Sequence, residues 1–388
     1  MTLSAYELGS TARRVAAVLR TRGPRTRAEL IGLTRLSRPT VSAALADLTV
    51  AGLLTEEAGP PTGPAGGRPA SVFRLAREAG LAVGIDIGRR HIRVAVADLG
   101  HQVLVDHPAR LDFDADDDPL PALDRAAAQV DAALGSIGAS RADVVGVGLG
   151  IPAPVTRSGR IGSPMLLPAW APLLPEQELN HRLDLPVRVD NDANLGALGE
   201  YVWGAGRDCA DLVYVKLATG IGAGIVLDGR LYRGSAGTAG EIGHVTLDAR
   251  GPVCRCGNRG CVELSAGGRA LLRHARITHP HLTDLEELVD LALVGDPGCR
   301  RLLVDAARQL GFALGGVLNL VNPDRIVIGG ELGAATDLLL DPLRRGLADT
   351  AMAAAVAAVD VVGAHLGTRA AAFGGVALAL DVDLAPAP

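Results

Sequence analysis

Three cysteines and a histidine carry the most specific chemistry in this chain. Cys254, Cys256 and Cys261 share one short loop, written Cys-x-Cys-Gly-x-x-Gly-Cys, and His244 stands just upstream. One imidazole and three thiolates make a closed four-ligand set with no open position for water, as expected for structural Zn²⁺. The alternative, three reduced surface cysteines near an unrelated histidine, gives no reason for such tight clustering. A bound metal fixes the loop carrying Glu241 and Glu263, two carboxylates suited to hydrogen-bonding sugar hydroxyls, and folding of that loop then depends on metal. Cys209 and Cys299 read as packing residues, and five cysteines are too few for a secreted disulfide framework.

A second constellation is Val189-Asp190-Asn191-Asp192-Ala193-Asn194, which follows a short strand and leads into a helix from Leu195 to Tyr201. An Asn191-Asp192 pair at a strand end can hold two adjacent hydroxyls, and an aspartate facing a cleft can act as general base on a sugar alcohol. The plainer alternative is a helix N-cap region. Glycine turns at Asp86-Ile87-Gly88 and Thr219-Gly220-Ile221-Gly222-Ala223-Gly224 add backbone N–H groups that can approach an anion closely.

Charge separates the ends of the chain. The formal net charge is −5, yet residues 1–80 hold eleven Arg, no Lys and six acidic residues, for a local charge of +5, leaving −10 for the remainder. A polyanion would bind the positive end. Helical spacing over Ser4–Arg22 stops at Gly23-Pro24, Thr26-Arg27-Ala28-Glu29 is a capping box opening a second helix through Leu33, and Ser37 caps a third helix to Leu48 with Pro39 in its first turn. Leu53-Leu54-Thr55 and Ser71–Leu75 read as strands around a Gly/Pro-rich wing. This is helix-turn-helix arithmetic. It places helix 37–48 in a DNA major groove, with Arg38, Thr40, Ser42 and the Ser37 cap toward bases and phosphates, Arg35 alongside, and Arg68 of Gly66-Gly67-Arg68-Pro69 reaching a minor groove. A protein-docking module with solvated arginines is the alternative.

Beyond Leu75 the pattern turns to α/β. Strands at 81–88 and 91–97 with a turn at Asp98-Leu99-Gly100 are echoed at 212–220 and 222–227 with a turn at Asp228-Gly229, implying two lobes of related topology with a cleft between them. Helices near 120–134 and 302–320 alternate with strands at 143–149, 186–190 and 325–328. No signal peptide or membrane-spanning run opens the sequence, so the expected location is cytoplasmic, with no membrane partner.

Asn191-Asp192-Ala193-Asn194 with Gly199-Glu200, the Thr219–Gly224 turn, Glu241-Ile-Gly-His244 and the Cys254–Glu263 motif together closely resemble the ROK family of repressors, open reading frames and sugar kinases, over about residues 10 to 380. The resemblance implies an actin-like, hexokinase-type (RNase H-like) two-lobed fold, preceded in the repressor branch by a winged helix-turn-helix like that around Ser37-Arg38-Pro39-Thr40-Val41-Ser42. It implies sugar contacts from Asn191, Asp192, Glu241, His244 and Glu263, with Asp192 the catalytic base in any kinase and His244 serving both metal and sugar. Asp86, Gly88, Thr219, Gly220, Gly222, Gly329 and Gly330 would line the nucleotide-phosphate region.

The departures decide the expected role. Family kinases carry Asp-x-Gly-Gly-Thr in the first phosphate turn, whereas this chain has Asp86-Ile87-Gly88-Arg89-Arg90, which removes a close backbone approach and a hydroxyl donor. Ala153 and Met165 stand where a second Gly and an Asn are usual, which leaves the sugar unassigned while keeping the cleft. The reading is a sugar-responsive transcriptional regulator, a repressor of carbohydrate metabolism, sensing a sugar or sugar phosphate in the cleft. It would bind an inverted-repeat operator in double-stranded DNA as a homodimer or homotetramer. The alternatives are an ATP-dependent, glucokinase-like hexose kinase, needing ATP and Mg²⁺, that also regulates transcription, and a sugar-binding scaffold with no DNA role. Expected domains are 1–78 for the head, 79–195 for the first lobe, completed by a C-terminal helix at about 366–382, and 196–365 for the second lobe with the zinc loop.

Overall fold

The N-terminal segment folds as its caps and stops dictate. Helix α1 (Ser10–Arg22) buries Ala12, Val15, Ala16 and Leu19 on one stripe, and Gly23 ends it at φ 71°. Gly9, extended at φ −59° and ψ 155°, precedes it. Strand β1 (Arg25–Thr26) leads into α2 (Arg27–Thr34), where the Thr26 hydroxyl accepts from the Glu29 N–H and the Glu29 carboxylate accepts from the Thr26 N–H. Arg35, left-handed at φ 51°, turns the chain toward α3 (Arg38–Val50), capped by Ser37 and buried through Val41, Ala44, Leu45 and Leu48. Strands β2 (Leu54–Ala58) and β3 (Ser71–Leu75) pair antiparallel, and β1 adds to the far side of β3, giving the order β1-β3-β2. Three helices with this sheet form a winged helix-turn-helix. Two-residue β1 is invisible in the sequence because so short a strand has no periodicity.

A computed structural model describes residues 8–58 and 70–381. Residues 4–7 of the expected first helix and the Gly66-Gly67-Arg68-Pro69 motif lie outside them.

Two five-stranded sheets follow with one topology. The first contains β4 (Leu81–Gly88), β5 (His91–Asp98), β6 (Val103–Arg110), β7 (Val144–Ile151) and β8 (Val187–Asn191), in the order β6-β5-β4-β7-β8, with α4 (Pro119–Ser136) and α5 (Pro175–Leu183) as connections. After α6 (Asp192–Trp203), the second contains β9 (Leu212–Leu217), β10 (Ile221–Leu227), β11 (Arg230–Leu231), β12 (Arg325–Gly329) and β13 (Asp360–Gly363), in the order β11-β10-β9-β12-β13. In each, a hairpin-linked antiparallel run passes to parallel strands, which need helical crossovers. Helices α7 (Glu263–Ala266), α8 (Gly268–Ala275), α9 (Leu285–Leu293), α10 (Pro297–Val321), α11 (Thr336–Ala348) and α12 (Ala353–Ala358) serve the second sheet, and α13 (Ala370–Ala379) closes the fold.

The chain divides into two units, Met1–Gly150 with Pro175–Val189 and Gly375–Pro388, and Ile151–Leu174 with Asp190–Gly374. In the first, β4 is buried along its whole length, as a central strand covered on both faces must be. The head packs on this unit through the turn after β5: a side chain at Gly100 would collide with Arg74 and the Leu75 carbonyl, and His101 (φ 67°) donates from Nε2 to the Arg20 carbonyl at 2.6 Å. The second unit buries Val213, Val215, Ile326 and Ile328 against Leu310, Leu314 and Leu343. Among the described residues no helix is long and apolar enough to cross a membrane.

Candidate metal centre and ligand site

The cysteine loop is built by its glycines. Gly257 (φ 93°) lets the Gly257 N–H reach the Cys254 carbonyl at 2.9 Å, and Gly260 (φ 56°) sits so close to Asp248 that any side chain would strike its carbonyl. The loop folds back so that Cys254 Sγ lies 3.6 Å from His244 Nδ1 and Cys256 Sγ 3.7 Å from Cys261 Sγ. Those are the edges of a tetrahedron whose centre lies roughly 2.3 Å from each sulfur, the length of a Zn–S bond. His244 and the three cysteines form one ligand cluster. Burial, reinforced by the neighbouring thiols, pushes the Cys261 thiol up to about 12, so the thiols resist ionising together without a cation at the centre. The four expected metal residues therefore fit a tetrahedral divalent ion.

His244 has a second face. Its Nε2 lies 3.9 Å from Glu241 Oε2. Glu241 is raised to about 7, first by burial and then by the negative charges of Asp192 and Glu263, with Arg255 opposing them. Glu263 opens α7, where its Oε2 accepts from the Ile221 N–H at 3.0 Å and its Oε1 meets Arg255 Nε at 3.2 Å. One N–H of the Thr219–Gly224 turn is thus already bound to a carboxylate. Gly222 and Gly224 also have a packing reason, because a side chain at Gly224 would strike the Ala193 carbonyl where α6 lies on β10.

The Asn-Asp motif sits at the start of α6. Asn191 is its N-cap, with Oδ1 accepting from the Ala193 and Asn194 N–H groups at 2.9 and 3.2 Å, so the plainer expectation describes this side chain. Asp192 faces β9, where Lys216 Nζ stands 2.8 Å from its Oδ2. Asp190 receives Arg233 at 2.7 Å. The structure brings Asp192, Glu241, His244 and Glu263 into one electrostatic cluster. The cation on each carboxylate, Lys216, Arg233 and Arg255, was not signalled by any local motif.

The phosphate turns lie in different units. Gly329 and Gly330 end β12 against Tyr214 and the Leu217 backbone, where side chains would not fit. In the first unit the His91 ring covers Gly88, and its Nε2 lies 3.2 Å from Asp86 Oδ2. Arg89 is drawn away to Asp114, Nε to Oδ2 at 2.6 Å, and its carbonyl accepts from the Ala115 N–H. On the head, Arg35, Ser37 and Arg38 are exposed and Thr40 and Ser42 half-buried, with the Thr40 hydroxyl 2.6 Å from that of Ser37.

The ROK family model matches residues 82–382. The xylose repressor of Bacillus subtilis is 28% identical over 360 residues, covering 92% of this chain and 91% of that protein. The glucokinase of Streptomyces coelicolor is 31% identical, covering 78% of this chain and 99% of that protein. Among solved structures, a ROK family transcriptional regulator homologous to the E. coli MLC protein has a TM-score of 0.74 at 26% identity, covering 96% of this chain and 95% of that one.

Proposed function

The chain belongs to the ROK family, and from that premise we propose that it is a sugar-responsive transcriptional repressor of carbohydrate metabolism. The observation that carries this is the winged helix-turn-helix ahead of the family module. The family model begins only at residue 82, whereas the repressor relative aligns over 92% of the chain, reaching into the head. We assign residues 1–78 to DNA binding, residues 79–195 with 366–382 to the first lobe, and 196–365 to the second. Arg38 and Arg35 on the exposed side of α3 and its preceding turn, with Ser37, Thr40, Ser42 and Arg68, would meet an inverted-repeat operator as a homodimer.

The metal is Zn²⁺ held by His244, Cys254, Cys256 and Cys261. It supplies rigidity: with the loop pinned, Glu263 holds the Ile221 turn and His244 presents Nε2 beside Glu241. Asn191, Asp192, Glu241, His244 and Glu263 would bind the sugar. Phosphoryl transfer depends on positioning the phosphates. His91 over Gly88, Arg89 turned to Asp114 and Lys216 paired to Asp192 support a sensing role over phosphoryl transfer.

The test is retention of duplex DNA selected from random sequence. Wild type is expected to bind with affinity falling steeply in salt, Arg38→Ala to lose about tenfold or more, and an aldose panel to change the affinity. Absence of DNA retention would end this reading. A second reading, an ATP-dependent hexose kinase, is favoured by the glucokinase relative and by Asp192. Sugar phosphorylation with ATP and Mg²⁺ that disappears in Asp192→Asn would establish it.

A further inference from the structure

Lys216 is the only lysine in 388 residues. Every other member of the Lys/Arg set, 37 side chains, is arginine. That single ammonium sits on β9 against the aspartate that opens α6, Nζ to Oδ2 at 2.8 Å, with the two side chains only 15% and 10% exposed. Arginine and lysine differ here in a way that matters. A guanidinium fork engages a carboxylate through both oxygens, whereas an ammonium is a compact point charge that approaches one.

Resting on the sugar-sensor reading above, we propose that Lys216 is a specificity-determining residue that makes this a site for an uncharged sugar. It fixes Asp192 as an anionic hydrogen-bond acceptor for a ligand hydroxyl, with the ammonium itself already engaged by that carboxylate. The surroundings agree. Among the described residues, Arg233 is committed to Asp190 at 2.7 Å and Arg255 to Glu263 at 3.2 Å, so Lys216, Arg233 and Arg255 are each matched by an acid. Glu241 adds a fourth carboxyl group facing Asp192 and Glu263. A neutral polyhydroxyl ligand can meet this acid-rich cluster with its hydroxyls as donors and brings no charge of its own. A phosphate on the hydroxyl that meets Asp192 brings a dianion against a carboxylate whose own cation is already used.

Because the chain has one lysine, ¹³Cε-lysine labelling gives a single side-chain NMR signal, and that signal reports on Lys216. The full-length, zinc-loaded protein is titrated with D-xylose, D-glucose and D-mannose, and with the 6-phosphates of the two hexoses. We expect a parent sugar to bind at least tenfold tighter than its phosphate and to shift the lysine signal. Asp192→Asn releases the ammonium, so parent-sugar affinity should fall tenfold or more while the preference over the phosphate collapses toward one. Lys216→Arg keeps the charge but covers both carboxylate oxygens, and should melt like wild type while losing sugar affinity tenfold. A wild-type protein that binds the phosphate as tightly as its parent sugar, or an unmoved lysine signal at saturating sugar, overturns the inference and leaves the sensor reading standing. Silence toward every sugar and phosphate removes both. The wild-type titration alone decides if either variant fails to fold.

Discussion

Acidification should loosen the seat of the head through one histidine. The His101 ring lies between α1 and the turn after β5, donates Nε2–H to the Arg20 carbonyl at 2.6 Å, and is held down to about 4 by burial, opposed by that Arg20 bond and reinforced by the charges of Arg25 and Arg74. The ordinary histidine value is 6.5, so between pH 6.5 and 4 the unfolded chain binds a proton that the folded chain refuses. Stability present above pH 6.5 is therefore lost as pH falls through this window. At 1.36 kcal/mol per pH unit, the full shift gives about 2 kcal/mol lost by pH 5. The turn keeps some solvent access, which brings the expected loss to about 1–2 kcal/mol. Urea unfolding at pH 7.5 and 5.0 measures it, with His101→Asn as the control, since asparagine tolerates the φ of 67° without titrating here. If wild type and His101→Asn lose equal stability between the two pH values, the assignment is wrong.

Three further outcomes follow from other contacts. Glu200, fully buried, accepts from the Ala205, His365 and Leu366 N–H groups at 2.7, 3.1 and 2.8 Å. Glu200→Gln turns one acceptor into a donor facing those donors and should cost about 2–4 kcal/mol in urea unfolding. Thr26→Ala removes the hydroxyl half of the α2 capping box and should cost the head about 1 kcal/mol, read as lowered hydrogen-exchange protection in α2. Cys256→Ser, or chelation, should reduce bound zinc from one per chain to a small fraction by mass spectrometry. It should expose residues 244–263 to protease while DNA retention persists.

The head and the metal loop were legible because their signals are local. Thr26 with Glu29, Ser37 with Pro39, and the glycine-spaced cysteines act within one or two turns of chain, and covalent geometry leaves such residues few alternatives. The repeated strand pattern likewise revealed two sheets of related topology, now seen in the same strand order. The Asn191-Asp192 pair was legible as a motif but not as a pair of roles. Asn191 spends its carbonyl capping α6, and which of the two readings its neighbour follows depends on β9.

What the sequence determined by itself was the winged head, the duplicated α/β module and the cluster of one histidine and three cysteines that could hold a metal. Tertiary structure alone decided which charge stands beside which: Lys216 on Asp192, Arg255 and the Ile221 N–H on Glu263, His91 over Gly88, Arg89 on Asp114, and His101 beneath the head. Caps, turns and chelating loops are fixed by bond geometry over a few residues. Ion pairs between separate elements are fixed by how sheets and helices pack, and a buried carboxylate takes whatever donor that packing brings to it.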